Sequence, residues 1–251
     1  MAHKGVFFDL YGTLLIYGDM DAAWHDWFEV LFESLRQHGL PLEKDAFRRE
    51  CSGFFGWPEP PVVDDGLTVF ERRIHAFCRK LDLILTPDQV RPVATASVEA
   101  WQEYVTLDPE AADVLQRVCV DHTLALISNF DHPPHVHGVL RRFGLTSLFD
   151  SIVVSAEQGI KKPDPAIFEP ALEQTGLAAV DVMYVGDAPE DVSAAMAAGM
   201  TPVLLRRAGA REVHTVTDFR PEITDSNGPP AERSPAVTTI SRLSDLFDVL
   251  T

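Results

Sequence analysis

Four short apolar runs in the second half of the chain constrain its fold most. Thr123–Ile127, Ser151–Ser155, Val182–Val185 and Pro202–Leu205 are too short for helices and are bounded by turn residues, which makes them buried strands. Helical patterns lie between and before them: Asp108–Val118, Pro133–Phe143 closed by Gly144, Pro165–Thr175 closed by Gly176, and Pro189–Ala198 closed by Gly199. Strands that alternate with helices imply right-handed crossovers and a parallel sheet with helices on both faces. One more strand stands at the start, Val6–Leu10, and a last strand and helix are expected at Val237–Ile240 and Leu243–Leu250. Residues 208–235 show no clear periodicity and read as a surface excursion.

Between these parts the rhythm differs. From Asp21 to Gln37 the residues Trp24, Trp27, Phe28, Leu31, Phe32 and Leu35 recur at helical spacing. Lys44–Cys51 and Leu67–Leu81 are further helices. Another starts at Thr86-Pro87, with Pro92 inside it. No strand is evident between about residues 17 and 105, so residues 17–105 form an α-helical module inserted into the α/β core of residues 1–16 and 106–251.

A chain of 251 residues with 46% hydrophobic and 24% charged residues can build a sizeable core without disulfides. Cys51, Cys78 and Cys119 form no CxxC pair and read as small buried hydrophobes in a reducing compartment. The formal net charge of −17 opposes binding to nucleic acid or anionic lipid. No apolar run approaches the ~20 residues of a membrane span, and Asp9 interrupts the first apolar run. The expectation is a cytoplasmic protein, monomer or homodimer, with a small anionic substrate and neither nucleic acid nor membrane as partner.

Three of the strands end in polar residues: Asp9, Ser128-Asn129, and Gly186-Asp187 with Asp191 close behind. Lys161-Lys162-Pro163-Asp164-Pro165 lies between the last two. Ligands of open α/β sheets bind at the carboxyl ends of strands. Acids there can hold a hard cation such as Mg²⁺. A hydroxyl and a lysine can hold an oxyanion, and a carboxylate beside them can act as a nucleophile.

Phe8-Asp9-Leu10-Tyr11-Gly12-Thr13-Leu14, Ile127-Ser128-Asn129, Lys162-Pro163-Asp164-Pro165 and Val185-Gly186-Asp187 with Asp191 resemble the four motifs of the haloacid dehalogenase-like hydrolase superfamily. Gly199-Met200 also fits, and the resemblance covers nearly the whole chain. It implies a Rossmann-like core carrying an inserted helical cap. It makes Asp9 a nucleophile that forms a covalent intermediate. Thr13 and Ser128, with Asn129, bind the transferred group, and Lys162 orients and neutralises. Asp187 with Asp191 organises Mg²⁺, joined by Asp9 and the backbone carbonyl of Tyr11.

Tyr11 departs from the pattern of the family's phosphatases, which carry a second aspartate there as general acid and base. A tyrosine of reference pKa ≈ 10 is a poor substitute at neutral pH. The family's 2-haloacid dehalogenases carry tyrosine there, because halide leaves without a proton. Their fourth motif, however, is of a Ser-Ser-Asn type, whereas this chain has Gly186-Asp187. The sequence therefore points to a Mg²⁺-dependent phosphatase on a small phosphorylated metabolite. A 2-haloacid dehalogenase and a ligand-binding protein without efficient turnover are the alternatives.

Two further groups stand out. Asp131-His132-Pro133-Pro134-His135-Val136-His137 has the composition of a transition-metal site, but reads first as a solvated helix start. Asp131 is also a candidate for the missing acid. Phe54, Phe55 and Trp57 lie in an irregular loop and are candidates for an aromatic substrate pocket.

Overall fold

A computed structural model describes residues 3–61, 65–207 and 237–250. In chain order the elements are β1 (Gly5–Phe8), β2 (Leu15–Tyr17), α1 (Met20–Gln37), α2 (Lys44–Cys51), α3 (Val69–Lys80), α4 (Pro87–Gln102) and β3 (Val105–Leu107). There follow α5 (Ala111–Val118), β4 (Thr123–Ser128), α6 (Pro133–Arg142), β5 (Ser151–Val154), α7 (Ser155–Gln158) and α8 (Glu169–Thr175). The chain continues through β6 (Val182–Gly186), α9 (Pro189–Ala197), β7 (Thr201–Leu205), β8 (Thr238–Ile240) and α10 (Leu246–Leu250). They divide into two compact units. One holds the described residues up to Met20, from Tyr104 to Arg207 and from Val237 onward; the other holds those from Asp21 to Glu103.

The first unit is built on a six-stranded sheet of order β5-β4-β1-β6-β7-β8. Every pairing in it is parallel, the α/β architecture expected from the sequence. β1 lies between β4 and β6, with Phe8 opposite both Leu126 and Val185. Val6, Phe7, Phe8, Leu124, Ala125, Leu126 and Ile127 have no exposed surface. Strands covered on both faces read as continuous apolar runs, which is why these were legible. Phe7, Ile127, Val153, Phe168, Tyr184 and Ala195 share one core cluster with Met200.

Several boundaries move. The expected helix Pro165–Thr175 splits into a 3₁₀ turn, Pro165–Phe168, and α8. The helix expected from Asp108 begins at Ala111, because the Asp108 carboxylate accepts from the Glu110 N–H at 2.8 Å. Tyr17 and Val105, read as ends of the helical module, pair with each other in an antiparallel ribbon of β2 and β3. The stretch 208–235 lies outside the described residues.

The second unit is helical. Trp27, Phe28, Leu31, Phe32 and Leu35 form the buried stripe of α1. α3 starts at a capping box, in which Glu71 N–H donates to Thr68 Oγ1 at 3.2 Å and Thr68 N–H to Glu71 Oε2 at 2.7 Å. α4 runs through Pro92, forgoing one backbone hydrogen bond. Phe54 is fully buried and packs on Trp27 and Phe77 at ring separations of 5.6 and 5.7 Å. Phe55 stacks on Phe70, and Trp57 packs edge-on to Phe77. Phe54 is thus part of this unit's core, which corrects its reading as a pocket residue, whereas Phe55 and Trp57 are half-buried. Cys51 and Cys78 are buried, but Cys119 is exposed. No helix among the described residues is long and apolar enough to cross a membrane.

Candidate active site

The sheet brings three strand ends together. Asp9 follows β1, and its N–H donates to Val185 O at 2.9 Å. Ser128 ends β4 beside it, and Asp187 follows β6 on the other side. Carboxylate oxygens of Asp9, Asp187 and Asp191 all lie within 4.8 Å of one another.

Lys162 enters this group from the loop before α8. Its Nζ donates to Asp9 Oδ1 at 2.6 Å, Asp191 Oδ1 at 2.7 Å, Tyr184 Oη at 2.9 Å and Ile127 O at 3.2 Å. The lysine loop is fixed by Asn129. Lys162 N–H donates to Asn129 Oδ1 at 2.9 Å, and Asn129 Nδ2 donates back to Lys162 O at 3.0 Å. Both ends of that amide are therefore engaged by Lys162 backbone. The peptide bond between Lys162 and Pro163 is cis.

The turn after Asp9 is shaped by close approach. Gly12 has φ +90°, and a Cβ there would lie 2.2 Å from Asp187 Oδ2; only glycine meets both demands at low cost. Gly186 plays the same part toward Asp191, whose carboxyl carbon would be 2.4 Å from an added Cβ. Thr13 Oγ1 donates to Asp187 Oδ1 at 3.3 Å. Asp191 Oδ2 accepts from Ala188 N–H at 2.9 Å. Ser128 Oγ is buried and has no hydrogen-bond partner among the described residues. A buried hydroxyl in that condition is costly unless a ligand completes it.

Electrostatics follow from this crowding. Burial pushes the Asp9 carboxyl up; Lys162 pulls against it, while Asp191 and Asp187 add repulsion. Burial likewise, then Asp191, push Asp187 up to about 6. Burial works against the Lys162 ammonium, but Asp191 and Asp9 outweigh it and hold it protonated. One ammonium thus faces three carboxylates.

Tyr11 stacks its ring on Phe130, centroids 4.8 Å apart, and Phe130 stacks on His135 at 5.6 Å. Burial, then the charge of Asp9, raises the Tyr11 phenol far above its usual range. Burial, then His132, lowers His135 to about 4. His137 pairs instead with Glu157 at 3.0 Å. The three histidines do not converge: among the described residues the cluster of metal-ligating side chains is Asp9, Asp187 and Asp191.

Sequence reasoning missed two tyrosines. Tyr184 accepts from Lys162 and donates to Asp191 Oδ1 at 3.2 Å. Burial first, and then the charges of Asp187 and Asp9, raise the phenol of Tyr17. A polar aromatic two residues before Gly186-Asp187 was the available signal for Tyr184.

Comparison with known proteins identifies relatives of this chain. A phosphoglycolate phosphatase of Yersinia pestis is 36% identical over 199 residues, 79% of this chain and 78% of that one. A glyceraldehyde 3-phosphate phosphatase of Pyrococcus abyssi is 25% identical over 93% of this chain and 99% of its own length. Coverage of relatives is uneven, falling to 34% of the length of a glyceraldehyde 3-phosphate phosphatase of Methanopyrus kandleri. Among solved structures, a 2-haloacid dehalogenase of Pseudomonas syringae pv. Tomato superposes with a TM-score of 0.63 at 25% identity, over 99% of this chain and 98% of that one. The family model for haloacid dehalogenase-like hydrolases matches residues 3–199, and with that span this chain belongs to the haloacid dehalogenase-like hydrolase family.

Proposed function

We propose that this protein is a Mg²⁺-dependent phosphatase acting on a small phosphate ester or anhydride, with Asp9 as the nucleophile. The observation that carries the reading is the gathering of Asp9, Asp187 and Asp191 around one lysine. A set of hard oxygen donors suits Mg²⁺, and the unsatisfied Ser128 hydroxyl suits an oxyanion beside it. Asp9, Asp187 and the Tyr11 carbonyl would hold the ion. Asp191 already accepts from Lys162, Tyr184 and Ala188, so its first task is to hold Lys162. When bound, the cation supplies charge neutralisation at the phosphoryl oxygens.

The residues divide the remaining work. Ser128 donates to a phosphoryl oxygen, and Lys162 neutralises the transferred group. Thr13 acts through its bond to Asp187, and Asn129 acts through Lys162. An Asp9 oxygen attacks phosphorus as the bond to the leaving oxygen breaks, and water then hydrolyses the aspartyl phosphate. Tyr11 stays protonated at neutral pH and supplies no base. Loss of general acid–base help costs ~10²–10⁴ in rate, so leaving groups that depart without a proton are favoured. The relatives named for glyceraldehyde 3-phosphate and phosphoglycolate support a small phosphorylated metabolite as substrate.

Phosphate release from a panel of phosphomonoesters and acyl phosphates, with Asp9→Asn as control, tests the proposal. Mg²⁺-dependent release that Asp9→Asn abolishes is expected; no release from any of them refutes it. Tyr11 and the likeness to the Pseudomonas dehalogenase favour a second reading, in which Asp9 displaces halide from a 2-haloacid. Chloride release from 2-chloropropionate without added metal would establish that reading instead.

A further inference from the structure

The nucleophile turn is gripped from a side that the proposed chemistry does not use. Arg207 lies just beyond the end of β7 and is largely buried, its side chain 18% exposed. Its Nη1 donates to Gly12 O, and its Nη2 donates to Thr13 O at 2.6 Å. The same guanidinium pairs with Asp108, Nη2 at 2.6 Å and Nε at 3.1 Å from Oδ2. Asp108, at the end of β3, donates its own N–H to Leu14 O at 2.9 Å. Three consecutive carbonyls, Gly12, Thr13 and Leu14, are therefore each held by one member of the Arg207–Asp108 pair.

The consequence follows from peptide geometry. In a trans peptide the C=O and the following N–H point in opposite directions. Drawing the Gly12 carbonyl to the guanidinium turns the Thr13 N–H away from it. Leu14 and Leu15 N–H both donate to Leu10 O, which closes the turn on its other side. The held segment carries the two residues that fit against Asp187: Gly12, whose missing Cβ leaves room for that carboxylate, and Thr13, whose hydroxyl donates to it.

We propose that Arg207, seated by Asp108, is a positioning residue for the phosphatase reaction: it holds the Gly12–Leu14 carbonyls and so fixes Thr13 and Asp187 relative to Asp9. This rests on the function proposed above. Guanidinium is required, because its planar fork reaches two carbonyls and a carboxylate together, whereas an ammonium is a point donor. Arg207 acts through the turn and touches no reacting atom.

The test compares Arg207→Lys, Arg207→Gln and Thr13→Val. Arg207→Lys keeps the charge beside Asp108 and guards against simple misfolding. Expected are a fall in kcat of ten- to a hundredfold in both Arg207 variants, KM within threefold, and faster hydrogen exchange of the amides in residues 10–15. Because both side chains act through one turn, Arg207→Gln adds little to the loss already caused by Thr13→Val. Folded Arg207→Lys with wild-type kcat overturns the role, as do strictly multiplicative losses in the double variant. Unchanged hydrogen exchange in residues 10–15 overturns the clamp itself, whatever the activity. Wild-type protein inert toward every phosphate ester overturns the proposed reaction, while exchange still decides the clamp.

Discussion

Asp187→Asn separates stability from function at this site. The half-buried Asp187 carboxyl is pushed up to about 6, by burial first and then by Asp191. Its folded value lies above its unfolded one, so ionising it costs folding free energy. That cost is absent below about pH 3.8, develops through pH 6 and is complete above it. A shift of about two units corresponds to at most ~3 kcal/mol, and relaxation around the site brings the expectation to ~1–3 kcal/mol. Asparagine keeps an oxygen to accept from Thr13 and offers an NH₂ to the neighbouring carboxylates, so it removes the charge with little change of shape. Without metal at pH 8 the variant should melt roughly 2–12 °C higher than wild type, at ~2–4 °C per kcal/mol. The advantage should vanish toward pH 4. With Mg²⁺ the order reverses: wild type gains stability by mass action, and the variant gains little. Scanning calorimetry at pH 4 and 8, with and without Mg²⁺, reads all of this. A lower metal-free melting temperature at pH 8 would refute the crowding argument, and a full Mg²⁺ shift in the variant would refute Asp187 as a ligand.

Lys162→Met keeps the volume but leaves Asp9 and Asp191 without their shared cation, and should cost ~3–5 kcal/mol in urea denaturation at pH 7, less in acid where the carboxylates are protonated. Gly12→Ala puts a Cβ 2.2 Å from Asp187 Oδ2 at φ +90°; the strain should cost ~1–3 kcal/mol and abolish both turnover and the Mg²⁺ shift. Phe54→Ala should destabilise the helical unit by ~3–5 kcal/mol, measured by its urea midpoint. A change confined to KM would show instead that this ring lines a pocket.

What was legible in the sequence was what is local or buried on both faces. The apolar runs that became β1, β4 and β6 show continuous burial, so their polar ends, Asp9, Ser128 and Asp187, could be read directly. Lys162 was legible only through its Pro-Asp-Pro setting, not through any pattern of its own. The rest was hidden for physical reasons. Tyr184 reads as strand filling, because its ring packs on Phe168 at 4.8 Å while its hydroxyl serves Lys162. β2 and β3 are three residues each, too short for alternation to register. Arg207 and Asp108 are 99 residues apart, and nothing in either neighbourhood announces the other. Phe54 misled because Gly and Pro punctuation marks an irregular backbone, and an irregular backbone can still bury a side chain.

The charge balance of the site bears on which substrate it can take. Two carboxylates within 4.8 Å of each other repel by at least about 3.5 kcal/mol at an effective dielectric of 20, and an ammonium 2.6–2.7 Å from a carboxylate attracts by about 6 kcal/mol at the same value. Lys162 therefore offsets most of the repulsion among Asp9, Asp187 and Asp191, but it leaves a formal charge of minus two when all three are ionised. An anionic haloacid entering such a site meets net repulsion, which argues against metal-free dehalogenation despite Tyr11. A divalent cation brings the same set to formal neutrality. In the proposed reaction a phosphate monoester would then approach with Ser128 and Lys162 facing its oxygens, and the cation would offset the repulsion that Asp187 and Asp191 impose on Asp9. In that proposal Tyr11 bears instead on the handling of the proton, and so on which leaving groups depart well. On that proposal the acids near Lys162 govern the approach of the substrate and the tyrosine after Asp9 governs the departure of the leaving group. That is how a dehalogenase-like first motif and a phosphatase-like fourth motif fit in one site.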